Sequence, residues 1–326
     1  MDKRVTFAKT AVKLPDVAYR KLRRSLYNKE KIGIASYCDL MRYSNGRIPA
    51  DKISSFKNVR SITGGLYDYE YLNICFINNM LSIVLKSLCE GNIPRIDIIA
   101  KGNNLWEQFF KQPFEGLTED KPVEIYNEKM VEAFPSWECI YQEDQVDFWG
   151  ALYNDFLVFN DKTNDYIQDE LKTIIGDRRV LGVLCRGTDY ILKKPKNHPV
   201  QPELNEIIAK AREVFDEGGY EYMYLATEDS KFDEAFREEF GDKMLVNKRI
   251  YYDKIFDSQK LELIKDVHFE RENDEYLKGI EYLSSLYILA NCKGLVAGNC
   301  GGTQAAVFLN RNKYEKKVIF DLGLYE

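Results

Sequence analysis

Between residues 179 and 320 short apolar runs alternate with amphipathic stretches, and few folds accommodate that order. "RVLGVLCRG", "YEYMYLATED", "KGLVAGN" and "KKVIFDL" read as strands, with "KMLVNKR" as a shorter one. "QPELNEIIAKAREVFDEGG", "SKFDEAFREEFG", "NDEYLKGIEYLSSLYILANC" and "GGTQAAVFLN" carry helical spacing between them. The first of these helices has Pro202 at its start and glycines at its end, where a helix tolerates them best. Strands that are apolar throughout need cover on both faces, and the intervening helices supply it. The prediction is a parallel sheet with helices on either side.

The first half repeats the pattern once. A strand ending near Ile62 runs into Thr63-Gly64-Gly65, a helix follows over roughly 70–89, Gly91 and Pro94 stop it, and "RIDIIA" supplies a second strand. In such a βαβ unit Gly64 and Gly65 would let a ligand approach the backbone at the strand's carboxyl end; a simple tight turn is the alternative. "DVAYRKLRRSLYN" reads as a basic amphipathic helix whose Lys21, Arg23 and Arg24 suit a solvated face better than a docking site. "GRIPADKI" reads as a loop, while "NNLWEQFFKQPF" and "VDFWGALYNDFLVF" read as helical core. The expected organisation is α/β with two Rossmann-like domains, residues 1–175 and 176–326, whose parallel sheets face each other across a cleft.

Charge narrows the partners. Lys plus Arg number 46 against 52 Asp plus Glu, a net of −6, which disfavours a nonspecific nucleic-acid binder but not a small anion held by one arginine. Seven cysteines in no CxxC spacing suggest buried thiols in a reducing compartment. Residues 1–17 show no apolar signal region, and no apolar run is long enough to span a bilayer. A cytoplasmic location is expected, with peripheral association at the inner face of the membrane left open. Two histidines without clustered cysteines argue against a zinc site, and no cofactor is implied.

Three predicted strand ends carry polar residues toward one sheet edge: Arg186-Gly187-Thr188-Asp189-Tyr190, Thr227-Glu228-Asp229, and Gly298 to Thr303 with Cys300, Gly301 and Gly302 between. Arg186 offers a rigid fork suited to phosphate, or else ties the loop through Asp189. The glycines before the last helix make an anion seat of its exposed N–H groups, with Thr303 either adding a hydroxyl or capping. Glu228 and Asp229 either take a sugar hydroxyl or cap the next helix. His198, between prolines in "KKPKNHPVQP", is placed to donate to a substrate or act as a base. Cys185 points to the opposite side of its strand and lacks a base partner. Neither GxxxxGK[ST] nor GxGxxG occurs at these turns, which disfavours P-loop and dinucleotide chemistry.

"GVLCRGTDY", "YLATEDSKF" and "GIEYLSSLYILANCKGLVAGNCGGTQAA", in that order, resemble the GDP-fucose-dependent fucosyltransferase superfamily, nearest to the α1,6-fucosyltransferases that include the bacterial nodulation type. "ITGGLYDY" is similar to the Gly-Gly-Leu-Gly turn that opens those enzymes. The resemblance covers residues 182–326 well and the first half only at its βαβ unit. It implies a GT-B architecture, no metal, inversion at the anomeric carbon, a nucleotide-sugar donor such as GDP-fucose and a glycan acceptor. It also assigns Arg186 to the pyrophosphate, Asp189 to the motif's aspartate, Glu228 and Asp229 to the acidic pair, and Cys300 to Thr303 to the turn beneath the pyrophosphate. Thr188, Tyr190 and Thr227 fall within the same turns. The sequence departs from the pattern where Leu184 replaces a histidine, Gly187 a second arginine, Tyr190 a lysine frequent in α1,6 members, and Ser284 or Ser285 a helical aspartate. Those losses motivate a rival reading, a nonenzymatic protein that binds a nucleotide or nucleotide sugar.

Overall fold

A computed structural model describes residues 3–29, 31–44, 50–127, 135–261 and 264–326. The chain divides into two compact units, residues 1–160 and 161–326. The first holds helices α1 (Lys3–Ala11), α2 (Asp16–Asn28), α3 (Ile32–Ser44) and α4 (Ala50–Ile53), then β1 (Asn58–Ile62), α5 (Ile74–Glu90) and β2 (Asn92–Ile96). The short β3 (Ile99–Ala100) and β4 (Asn103–Asn104), β5 (Val123–Tyr126) and α6 (Glu143–Phe156) complete it. β2, β1 and β5 lie in that order as a parallel sheet, with Ile62 paired to Ile96 and Tyr126. Helix α5 starts later than its apolar spacing suggests, because Asn73 accepts a hydrogen bond from the Phe76 N–H (3.0 Å) and caps it there. Of "GRIPADKI", residues 46–49 lie outside the described residues and Ala50–Ile53 is helical.

Two expectations about the first unit fail for local reasons. "NNLWEQFFKQPF" is not a helix. Asn104 Oδ1 accepts from the N–H groups of Trp106 and Glu107, while Asn104 Nδ2 and Gln112 satisfy the backbone of Ile96 instead. Side-chain amides that bond the backbone compete with the helical ladder, and the aromatics still pack, Trp106 against Phe110 at 4.7 Å between ring centroids. Arg23 is not on a solvated face: it is buried, bonded to Asp39 (2.8 Å) and Glu90 (2.6 Å), whereas Lys21 and Arg24 are exposed.

The second unit begins with α7 (Asp161–Ile174), followed by β6 (Val180–Leu184), the short α8 (Thr188–Lys193), α9 (Leu204–Gly218), β7 (Tyr222–Ala226) and α10 (Ser230–Phe240). Then come β8 (Met244–Leu245), α11 (Asp253–Gln259), α12 (Asp274–Asn291), β9 (Gly294–Gly298), α13 (Gly301–Asn310) and β10 (Lys316–Phe320). All five strands are parallel, in the order β10-β9-β6-β7-β8. Both units are therefore α/β with parallel sheets, as the alternation predicts. Strand β6 alternates cleanly. Leu181, Val183 and Cys185 enter a core with Ile207, Phe215 and Phe236 from α9 and α10. Gly182 and Leu184 face the other way, where a Cβ on Gly182 would meet Leu289 at 3.1 Å and Leu184 lies 3.2 Å from a Cβ built on Gly302. Arg186, two residues beyond Leu184, thus rises on the α12 and α13 side.

The strand order marks a candidate position for a site before any side chain is considered. From β6 the chain runs outward through β7 to β8, then returns to the other side for β9 and β10. The direction reverses between β6 and β9. In open α/β sheets the loops on either side of such a switch point diverge and leave a crevice at the carboxyl ends of the strands.

Candidate functional site

The carboxyl ends of β6, β7 and β9 bring together most of the residues singled out in the sequence. Arg186 donates from Nη2 to Asp189 Oδ1 (2.7 Å), its Nε lies 3.3 Å from Glu228 Oε1, and its guanidinium carbon sits 4.8 Å from the centre of the Tyr190 ring. The Arg186 side chain stays 22% exposed. Burial works against its charge, but the carboxylates of Glu228 and Asp189 outweigh it and hold the guanidinium well above the usual arginine range. The cation is permanent.

Glu228 fixes the turn that carries Arg186. Its Oε1 accepts from the Gly187 N–H and the Thr188 hydroxyl, both at 3.0 Å. Asp229 Oδ1 accepts from the Lys231 N–H (2.9 Å) and so caps α10. Burial is the main reason the Asp229 carboxyl is raised above its usual range; neighbouring Asp253 and Glu228 add to the rise, opposed by the Lys231 N–H. Glu228 Oε1 thus supports the Arg186 turn, and Asp229 Oδ1 the start of α10. Gly187 has no choice of residue: a Cβ there would sit 2.3 Å from Asp229 Oδ2 and 2.6 Å from Asp229 Cβ. The second arginine expected from the resemblance is excluded by packing.

Helix α13 opens beside this cluster. Cys300 is its extended N-cap and makes no side-chain cap bond, while Gly301 and Gly302 remain partly exposed. The first N–H groups of a helix lack internal partners and carry the positive end of its dipole. Thr303 is buried and donates its hydroxyl to the Gly298 carbonyl (2.6 Å), stapling the turn from within. Cys185 is buried too. Burial and the Glu228 charge push its thiol well above the usual range, which leaves no thiolate for nucleophilic chemistry.

His198 joins the cluster through Tyr190, the two rings meeting edge to face at 5.6 Å. Its Nδ1 lies 3.1 Å from the Lys196 carbonyl. The loop bearing it is held by residues no local pattern reveals. Asn197 N donates to Tyr325 O, Tyr325 N to His198 O (both 2.9 Å) and Val200 N to Gly323 O. Gln201 closes the end of β9 by donating to Asn299 O at 2.8 Å. Gly64 and Gly65 belong to the first unit, where a Cβ would meet Asn127 Oδ1 at 2.4 Å and Asn79 Oδ1 at 2.6 Å respectively. Neither position has room for a Cβ beside those amides.

Arg249, after β8, is a cation that no sequence motif singles out. It caps the Thr227 carbonyl through Nη1 and donates from Nη2 to Ser285 Oγ (3.1 Å). Ser284 and Ser285 are buried on α12, with Ser284 donating to Glu170 Oε2 (3.4 Å) from α7. Among the described residues no group of three or more His, Cys, Asp and Glu side chains is placed to hold a metal ion, and no helix is long and apolar enough to cross a membrane.

No family model matches the chain, and no characterised protein matches it by sequence. Solved structures similar to it include NodZ α-1,6-fucosyltransferase soaked with GDP-fucose, at 12% identity over 78% of this chain and 92% of that one, with a TM-score of 0.45. The fucosyltransferase NodZ from Bradyrhizobium is 10% identical over 82% of this chain and 95% of its own, with a TM-score of 0.45. POFUT1 in complex with GDP is 8% identical over 85% and 78% respectively, with a TM-score of 0.39.

Proposed function

We propose that the second unit holds the diphosphate of a nucleotide sugar between Arg186 and the start of α13, and that the chain transfers the sugar to a hydroxyl of a glycan. The observation that carries this reading is the meeting, at the sheet's switch point, of a buried-stemmed arginine and a helix N-terminus without a side-chain cap. Both are built for a compact anion.

In the reaction the bond between the anomeric carbon and the β-phosphate oxygen breaks, and its electron pair leaves with the diphosphate. An acceptor oxygen bonds to the opposite face of that carbon, inverting it, and gives its proton to a base. Arg186 and the Gly301 and Gly302 amides stabilise the charge that develops on the leaving group, so that a metal is not required for that task. His198, beside Tyr190, is the base this reading favours; Asp189, bonded to Arg186, orients that arginine. GDP-fucose is the first donor to try, on the strength of the sequence resemblance.

The test is a panel of nucleotide sugars scored for thermal stabilisation and for nucleotide release with glycan acceptors, on the wild type and Arg186→Ala. The variant should lose transfer and bind nucleoside diphosphates roughly 10–100-fold more weakly, the value of a hydrogen bond to a charged group. Undiminished diphosphate affinity in a folded Arg186→Ala would overturn the role. Binding without turnover across the panel would favour the nonenzymatic reading.

A further inference from the structure

Helix α2 sends its basic residues in two directions. Arg23 is buried against Asp39 and Glu90, and the Tyr19 hydroxyl donates to the same Asp39, so one hydrogen-bonded network ties α2 to α3 and to the end of α5. Beside that network the first unit holds a cavity of about 170 Å³, walled by α2, α3 and α4 and closed by Leu88 and Cys89 of α5. Each wall contributes a cation to it: Arg20, Arg42 and Lys52. Among the described residues that line it, Asp16 is the one carboxylate.

The three cations are not equivalent. Arg42 is built in: its side chain is 4% exposed and its guanidinium carbon lies 4.2 Å from the centre of the Tyr19 ring. It donates to the carbonyls of Val12 (3.3 Å) and Leu14 (2.9 Å) and to Asp16, which together use three of its five N–H donors and pair its charge. Arg20 and Lys52 are exposed, and among the described residues neither charged head has a carboxylate or other hydrogen-bond partner. The lining therefore carries two more positive than negative charges, in a chain whose own net charge is −6. Concave walls of one sign focus their field into the space between them and concentrate counter-ions there.

Size and charge narrow the anion. A water takes about 30 Å³ of liquid, so the cavity has room for roughly five or six non-hydrogen atoms, the size of a phosphoryl group. A phosphate monoester carries about −1.5 to −2 at neutral pH and offers three strong acceptor oxygens, which matches the excess charge better than a carboxylate does. We propose that this cavity seats the phosphoryl group of a phosphate monoester, with Arg20 and Lys52 as its charge partners against the fixed Arg42. The remainder of the molecule lies outside the cavity, so a soluble ester and a phosphatidic acid headgroup present the same chemistry. The inference does not depend on the nucleotide-sugar reading, because every residue in it belongs to the first unit.

The experiment is a lysine footprint of the wild-type chain. Acetylation of Lys52 is followed by mass spectrometry with and without inorganic phosphate, and with acetate at equal ionic strength. Lys21 is the internal reference, since it is exposed on α2 and does not line the cavity. Phosphate should slow acetylation of Lys52 about fivefold, the protection that roughly 80% occupancy gives, and leave Lys21 unchanged. Acetate should protect neither lysine. Arg20→Gln, an exposed substitution checked by a melting curve, should remove the protection. Sedimentation with phosphatidylcholine vesicles, with and without phosphatidic acid, separates the two sources. Retention on phosphatidic acid that is lost in Arg20→Gln/Lys52→Gln and kept in Lys21→Gln/Arg24→Gln assigns the headgroup; protection by phosphate without such retention assigns a soluble ester. Equal protection of Lys21 and Lys52, acetate as effective as phosphate, full protection retained in a folded Arg20→Gln, or no protection of Lys52 by phosphate would each overturn the site.

Discussion

Replacing Gly187 by alanine tests the packing that shapes the site. The added methyl would lie 2.3 Å from Asp229 Oδ2, 2.6 Å from Asp229 Cβ and 2.8 Å from Asp229 Cγ. The first of those atoms belongs to the side chain that caps α10, so the clash cannot be relieved by rotating it without losing the bond to Lys231. Overpacking of this kind costs ~1–3 kcal/mol, and loss of the cap ~0.5–2 kcal/mol. Against these stands a gain of ~0.4–1 kcal/mol from the reduced freedom of the unfolded chain. The net expectation is a destabilisation of about 2 kcal/mol. All three tryptophans, Trp106, Trp137 and Trp149, lie before residue 161, so fluorescence would report the wrong unit. Native-state hydrogen exchange at the amides of β6, β7 and α10 reports the right one. Asp229→Gly removes the obstructing atoms, and glycine is a tolerable N-cap. The double variant Gly187→Ala, Asp229→Gly should therefore recover most of the loss. Unchanged protection in the single variant, or no recovery in the double, would refute the argument that Asp229 dictates glycine at 187.

Two further outcomes follow from the titratable groups. Burial raises the Glu90 carboxyl, but Arg23 and Arg60 outweigh it and hold the group below its usual range. A depressed carboxylate contributes stability that is fully present above its unfolded value of about 4.3 and is lost as pH falls through the folded value; Glu90→Gln should flatten the acid limb of urea midpoints followed by tryptophan fluorescence, and an unaltered acid limb would refute the pairing. His198→Gln should lower kcat at least about tenfold while leaving diphosphate affinity intact, and an unchanged kcat would move the base elsewhere.

The sequence departs from the resemblance at Gly187, and the structure gives that departure a packing reason. Gly187 cannot be an arginine because Asp229 fills the space. Thr303 Oγ1, Glu228 Oε1 and Asp229 Oδ1, on residues each open to two readings in the sequence, bond Gly298 O, the Gly187 turn and the Lys231 N–H. The failure over "NNLWEQFFKQPF" has a parallel cause. Apolar spacing reports which residues can share a buried face, and Asn104 and Gln112 bond the backbone of Ile96 from positions that spacing does not weigh.

Sequence alone determined what depends on neighbours along the chain: strands and helices in alternation, parallel sheets, Arg186 at the end of a buried strand, and glycines at the start of a helix. Local sterics and hydrophobic periodicity operate over a few residues, and they are written in order. The tertiary structure decided what depends on residues far apart. The switch point exists because β9 returns to the far side of β6; the His198 loop is held by Tyr325, 127 positions along the sequence; and Arg249 reaches the sheet edge because β8 lies beside β7. None of those meetings is fixed by local preference, because each follows from how the sheet orders its strands.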